Sequence, residues 1–506
     1  MTAKTLMVVG TASSVGKSLL VTAFCRIFKR HGFTVAPFKS QNMSLNSFVT
    51  PEGHEMGRAQ VSQAEAAGLT PSALMNPILL KPTTNSKSQV IVNGRVHGNM
   101  SAVEYYEYKD NLRPAVRAAF DELAGRYQVV VIEGAGSPAE INLMDGDFVN
   151  MGMAAMVDAP VVLVGDIDRG GVFASLYGTV KLLPPEDQAR IKGLIVNKFR
   201  GDLKILEPGL KQIEDLLGIP MLGVVPHGKF AIDEEDSLTD RLADRGNGAG
   251  INIAVLRLPR LSNFTDFAVF DSLPDVSLTY VEEAAGLDRA DLIIIPGSKN
   301  TIEDMRHLEE SGFAERLKRL AAEGRVICGI CGGYQILGRM IHDPHGVESS
   351  LASIPGLGLL DVETSFAQDK HTTQSGLTLR EHQGPLAGTG GLILKGYEIH
   401  MGETSAGPGS AALAEGPEGP VGAVNRAGNV FGSYLHGFFD QLDFTRRLMD
   451  NLRFSKGLTG GEDEGAAASY QELKEREYDR LADVVEEHLP FEKLLSITGL
   501  EPSERA

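Results

Sequence analysis

Short apolar runs that do not alternate constrain this chain's fold more than any other feature. Residues 6–9, 129–132, 161–164, 194–196 and 222–225 are rich in Val, Ile and Leu and show no period-2 pattern. Strands buried on both faces of a parallel sheet read this way. Between the first two runs, Leu19, Leu20, Ala23, Phe24 and Ile27 share one face at helical spacing. A second apolar series follows at 253–256, 292–295, 326–327 and 430–435. Strands alternating with amphipathic helices predict α/β architecture: two open, mostly parallel sheets. The polar, Gly-rich stretch 241–250 reads as the linker between them.

The expected units are therefore residues 1–240, residues 251–445 and a helical extension over 446–506. Residues 351–391 hold many Gly, Ser and Thr and predict strands and loops rather than long helices. Beyond Phe444 the pattern is helical, interrupted at 461–465. Tyr470, Leu473, Leu481, Val484 and Val485 form one stripe expected to be a packing face.

Composition narrows the function class. Across 506 residues, 48 Lys and Arg face 66 Asp and Glu, a net charge of −18. Nucleic acid or an anionic membrane as main partner would demand a basic surface. An anionic small substrate remains compatible, because it responds to a local pocket. Three cysteines are too few for a disulfide framework, which predicts a reducing cytoplasm. The first apolar run is too short for a signal-peptide core, and no stretch approaches the ~20 apolar residues of a membrane span.

After the first strand comes Gly10-Thr11-Ala-Ser-Ser-Val-Gly16-Lys17-Ser18 and then the amphipathic helix. In a strand–loop–helix context such a loop cradles phosphates with its backbone N–H groups. Lys17 is then expected on the β/γ-phosphates of ATP and the Ser18 hydroxyl on Mg²⁺. Five residues separate the glycines instead of the usual four. Glu133 closes a buried strand near the ligand crevice and is a second candidate for Mg²⁺; otherwise it caps a helix. Lys39 is either a partner of the γ-phosphate or substrate carboxylate, or a solvated loop residue. Asp166 and Asp168 end another strand and carry a weaker metal-related signal.

In the second half, Arg325-Val-Ile-Cys-Gly-Ile-Cys331-Gly-Gly-Tyr-Gln-Ile-Leu-Gly338 reads as strand, sharp turn and helix. Cys331 occupies a nucleophile-elbow position, with small neighbours that permit the turn. A redox pair with Cys328, half a zinc site or a purely structural cysteine are the competing readings. The nucleophile needs a base. His436 is the first candidate and His400 the second.

These residues carry resemblances. The longer phosphate loop resembles dethiobiotin synthetase and its relatives, which implies that Asn197 reads the adenine ring. The second half resembles class I glutamine amidotransferases, which implies that Cys331 and His436 hydrolyse glutamine as nitrogen donor. The Glu usual two residues after that His is replaced by Phe438, leaving Asp440, Glu398 or nothing to orient His436. With Phe38-Lys-Ser-Gln-Asn-Met-Ser-Leu-Asn46, Glu133-Gly-Ala-Gly-Ser-Pro-Ala-Glu140, Pro296-Gly-Ser-Lys-Asn-Thr301 and Gly396-Tyr-Glu-Ile-His400, the chain resembles the cobyric acid synthase family throughout. That resemblance implies ATP- and glutamine-dependent amidation of four corrinoid carboxylates. Its nearest rivals are the related a,c-diamide synthases and, outside enzymes, the chromosome-partitioning ATPases.

Overall fold

A computed structural model describes residues 3–83, 87–233, 250–273, 275–460 and 469–501. Most of the expected linker, 241–249, and the interruption at 461–465 lie outside the described residues. The five apolar runs of the first half all become strands of one six-stranded parallel sheet. Its order is Met221–Pro226, Ile191–Phe199, Val161–Asp166, Lys4–Gly10, Val129–Glu133, Val35–Phe38. From the central strand Lys4–Gly10, the helix Lys17–Arg30 leads to one edge, while the chain later builds toward the other. Ligands bind α/β sheets at such a reversal, outside the carboxyl ends of the strands. The phosphate loop sits there.

One small sheet was not anticipated. Gln41–Met43, Ile78–Pro82, Lys87–Val92 and Arg95–Ser101 form four strands beside the first sheet. Its hairpin turns at Asn93-Gly94, both with positive φ (48° and 78°). Asn-Gly is a strong turn signal for a two-residue hairpin, so this element was legible. The sheet anchors the segment after Lys39.

The second half contains parallel strands in the order Val276–Val281, Ile251–Leu256, Leu292–Ile295, Val326–Ile330, Val430–Ser433. Two short antiparallel strands, Ala423–Asn425 and Ser410–Ala411, extend it. The Gly/Ser/Thr-rich stretch runs mainly through the strand Val362–Leu379, paired antiparallel with Ile393–Ala406. Among the described residues, no helix is long and apolar enough to cross a membrane.

The carboxyl-terminal helices divide between the two halves. Leu442–Ser455 packs Phe444, Leu448 and Met449 into the second core. Tyr470–His488 and Phe491–Thr498 turn back over the first sheet, where Tyr478, Leu481, Val485 and Leu494 join Leu6, Val8, Phe24 and Phe28. From the predicted stripe, Leu481 and Val485 are buried there and Val484 is half-buried; Tyr470 and Leu473 pack against the second core instead. The buried Arg26 fixes the crossing, donating to Glu475 and Asp479 at 2.8 Å each. This tail is therefore a wall of the first core. Leu481→Ala and Leu494→Ala should each cost about 2–5 kcal/mol in urea unfolding of the intact chain. A change below about 0.5 kcal/mol, the range of surface positions, would show the tail to be loosely attached.

Two candidate active sites

The phosphate loop leaves the central strand at Gly10, and the Thr11 N–H donates to Val164 O at 2.9 Å. Gly16 has φ +93°, and a Cβ there would lie 2.2 Å from Asn197 Nδ2. Both conformation and space thus demand glycine. Lys17 is buried and donates to Ala12 O (2.9 Å) and Gly136 O (3.0 Å), tying the loop to the turn after Glu133. Asn197 donates its amide hydrogen to Val15 O at 2.8 Å, and Lys198 donates to Ser14 O at 2.6 Å. Both residues hold the loop's shape. Asp166 pairs with Lys198 at 3.2 Å, and Asp168 with Arg200 at 3.1 Å.

Glu133 gathers the other predicted residues. Its Oε1 accepts from Ser18 Oγ (2.8 Å) and Lys39 Nζ (3.0 Å), and its Oε2 from Gln63 (2.5 Å) and Gln60 (3.4 Å). Burial alone would raise this carboxyl, but Lys39 and the hydrogen bonds from Gln63 and Ser18 outweigh it and hold it below the usual carboxylate range. Lys39 is 2% exposed, so the solvated-loop alternative fails. The helix-cap alternative for Glu133 fails too, since its oxygens serve these side chains. Nearby, Ser40 Oγ, Asn42 Oδ1 and Gln63 Oε1 are buried and find no hydrogen-bond partner among the described residues. Such atoms are costly unless a polar ligand meets them. A hydroxyl and a carboxylate side by side are hard oxygen donors suited to Mg²⁺.

In the second half, the strand Val326–Ile330 ends at Cys331, whose φ of 53° and ψ of −110° are strained for a non-glycine residue. The helix Gly332–Leu337 follows at once. A Cβ on Gly333 would fall 1.9 Å from Ile295 O, so the elbow closes only with glycine there. Cys328 lies within the strand, fully buried, and burial pushes its thiol far up. Cys25 is buried in the first half, and all three cysteines are free. Cys328 thus sits inside the strand rather than at the helix start that a redox pair uses, and among the described residues neither it nor Cys331 belongs to a group of three or more metal-ligating side chains.

His436 follows the strand Val430–Ser433 and is 1% exposed. Its Nδ1 meets Asp266 Oδ2 at 2.6 Å, and Asp266 Oδ1 accepts the Gly437 N–H at 3.2 Å. Burial pulls the imidazole's pKa down, but the hydrogen-bonded Asp266 carboxylate and the neighbouring Cys331 lift it to about 10, while the thiol's own hydrogen bond goes to Ile399 O at 3.6 Å. The residue that orients His436, left open in the sequence among Asp440, Glu398 and none, is Asp266. It stands on the 3₁₀ helix Phe264–Ser272, far upstream, where no local spacing marks it. Asp440 instead feels Arg58 and Lys474, and Glu398 Oε2 lies 3.4 Å from His400 Nε2. Phe438 is core, edge-on to Phe439 and Phe444. His400 is bound to Gly402 O at 2.8 Å and stacks on Tyr434, so it is not the imidazole on Cys331. With His371 and Glu398 it forms a group whose ligand atoms all lie within 4.8 Å of one another. Beside the elbow, a Cβ on Gly332 would lie 2.9 Å from Ser298 N and one on Gly297 3.3 Å from His436 Cε1, so the Gly297–Ser298 backbone lies against the elbow and the imidazole.

Comparison with known proteins matches both halves. Residues 6–237 fit the CobQ/CobB/MinD/ParA nucleotide binding domain, and residues 252–444 the CobB/CobQ-like glutamine amidotransferase domain. The cobyric acid synthase of Alkaliphilus metalliredigens is 53% identical, over 97% of this chain and 99% of that protein. Those of Streptococcus sanguinis (51%) and Yersinia enterocolitica (50%) align over 98% and 99% of this chain and 99% of each relative. Spanning both halves and the tail at such identity, the chain belongs to the cobyric acid synthase family.

Proposed function

We propose that this chain uses ATP and glutamine to amidate the b, d, e and g carboxylates of adenosylcobyrinic (or hydrogenobyrinic) acid a,c-diamide, giving cobyric acid in cobalamin biosynthesis. One observation carries the reading: a buried Cys331–His436–Asp266 triad and a phosphate loop backed by Ser18, Lys39 and Glu133 occur in one chain. Residues 1–240 would prime the carboxylate, and residues 251–445 would supply the nitrogen.

With the proton of the Cys331–His436 pair already held on His436, the sulfur attacks the glutamine side-chain carbonyl. Backbone N–H groups near Gly332, with a contribution from the Gly297 loop, would stabilise the oxyanion. Protonated His436 then gives its proton to the leaving ammonia, and water releases glutamate from the γ-glutamyl thioester. Asp266 keeps the imidazole in the required tautomer. In the first half, a substrate carboxylate attacks the γ-phosphate of ATP, and ammonia displaces phosphate from the acyl phosphate. Lys17 neutralises charge on the transferring group and Lys39 stands beside it. Ser18 and Glu133 would hold Mg²⁺, which supplies further charge neutralisation to the phosphates. Asn197 keeps the loop shaped beside the nucleotide.

Cys331→Ala should abolish glutamine-dependent amidation and retain amidation driven by ammonium salts; loss of both would contradict separate sites. Lys17→Ala should stop amidation with either donor, and amidation surviving at saturating ATP would remove Lys17 from the mechanism. Mass spectrometry of products from a panel of corrinoid acids reads the substrate: four added amides on the a,c-diamide are expected. Two amides on the unamidated acid would assign an a,c-diamide synthase instead. Because His436 must be protonated to release ammonia, glutamine hydrolysis should fall as pH rises through about 10. Asp266→Asn should move that alkaline limb down toward ordinary imidazole values. An unmoved limb would deny Asp266 its role.

A further inference from the structure

The segment that follows Lys39 leaves the phosphate site and ends against the glutaminase triad. Its first part faces Glu133: Lys39 pairs with the carboxylate, and Asn42 Nδ2 donates at 2.9 Å to Gln60, which in turn reaches Glu133. Its last part crosses to the other half. Asn46 Oδ1 accepts the Phe264 N–H at 3.0 Å, at the first residue of the helix that carries Asp266. The Ser47 N–H donates to Asn263 Oδ1 at 3.1 Å, and Ser47 O accepts from Tyr397 Oη at 2.8 Å. Asn263 caps that same helix with left-handed backbone (φ 52°) and donates to Tyr397 Oη at 3.0 Å. Tyr397 lies flat on His436, ring centres 5.2 Å apart at 18°, and the two residues exchange backbone hydrogen bonds of 3.2 and 2.8 Å. Asn46, Ser47, Asn263, Asp266, Tyr397 and His436 are all buried.

We infer that Asn46 and Ser47, residues of the nucleotide-binding half, are positioning residues for the glutaminase. They fix both groups that hold His436: the helix presenting Asp266 to Nδ1, and the tyrosine ring against the imidazole face. Only six residues lie between Lys39 and Asn46, and the segment is buried over much of its length, so a shift at Glu133 reaches Asn263 through packed, hydrogen-bonded backbone rather than through solvent. A glutaminase built this way is complete only when the synthetase segment is docked. The short strand Gln41–Met43 holds the middle of the segment in register with Ile78–Pro82.

The inference rests on the reading of Cys331 and His436 as the glutaminase, and its test separates the two. In the full-length protein, Asn46→Ala should lower kcat for glutamine hydrolysis by about 10- to 100-fold, the scale of a small misplacement of a catalytic group. KM for glutamine should stay within about twofold, and the alkaline limb of the pH profile should move down, as the imidazole loses its oriented carboxylate. Amidation driven by ammonium salts should change far less, reporting an intact fold and synthetase site. Added to Asp266→Asn, Asn46→Ala should cause little further loss, because both changes act on the same carboxylate. Equal losses with both nitrogen donors, an unmoved pH limb or additive losses in the double variant would overturn the positioning role. Should Cys331→Ala still hydrolyse glutamine, the glutaminase reading itself would fail, whatever Asn46→Ala shows.

Discussion

A charged carboxylate in a dry interior is the constraint around which the first half is organised. Glu133 ends a strand whose residues are all buried, so its charge is tolerated only if neutralised and hydrogen-bonded. Lys39, Ser18, Gln60 and Gln63 meet that demand from three directions: the segment after the edge strand, the helix behind the phosphate loop, and the helix Arg58–Ala66. Meeting it forces those elements together at the sheet's topological switch point. The phosphate loop, whose Lys17 reaches Gly136 O three residues beyond Glu133, is fixed by the same convergence.

The second half solves the same problem with an imidazole. His436 is as buried as Glu133, and burial disfavours its protonated form. Asp266 reverses the preference, and its other oxygen binds the Gly437 N–H, so the carboxylate orients ring and backbone at once. The strained φ of Cys331 belongs to this arrangement: the strand, the elbow glycines and the Gly297–Ser298 backbone leave the sulfur little freedom.

Much of this was written locally in the chain. Continuous apolar runs marked the strands, and the glycine-flanked Lys17-Ser18 and Cys331 marked both loops, because each chemistry needs its residues within one turn. Asp266 was hidden for the opposite reason. It approaches His436 across 170 positions, on a 3₁₀ helix with no periodicity, and only the packed fold joins them. The tail's destination was likewise invisible: a stripe such as Leu481 and Val485 says that a helix will bury a face but not against which sheet. The small antiparallel sheet differs again: Asn93-Gly94 announced its turn, but the strand after it, Arg95–Ser101, is polar and largely exposed and carries no apolar run.

The boundary between the halves is held by buried ions, and that choice has consequences. Lys81 donates to Glu55 at 2.7 Å and to Ser47 Oγ at 2.9 Å; Lys370, from the other half, shares the same Glu55 at 2.5 Å. Burial pulls the Lys370 ammonium down to about 7 despite Glu55. Lys299 and Lys370 both donate to Gln89 at 3.2 Å. Desolvation offsets most of the attraction in such networks, so they add little net stability compared with apolar packing. Their effect is on specificity. Any other docking of the two halves would strand one of these charges unpaired, at a cost of several kcal/mol. The register they enforce is the one in which Ser47, bonded to Lys81 through its hydroxyl, also holds the ring of Tyr397 against His436.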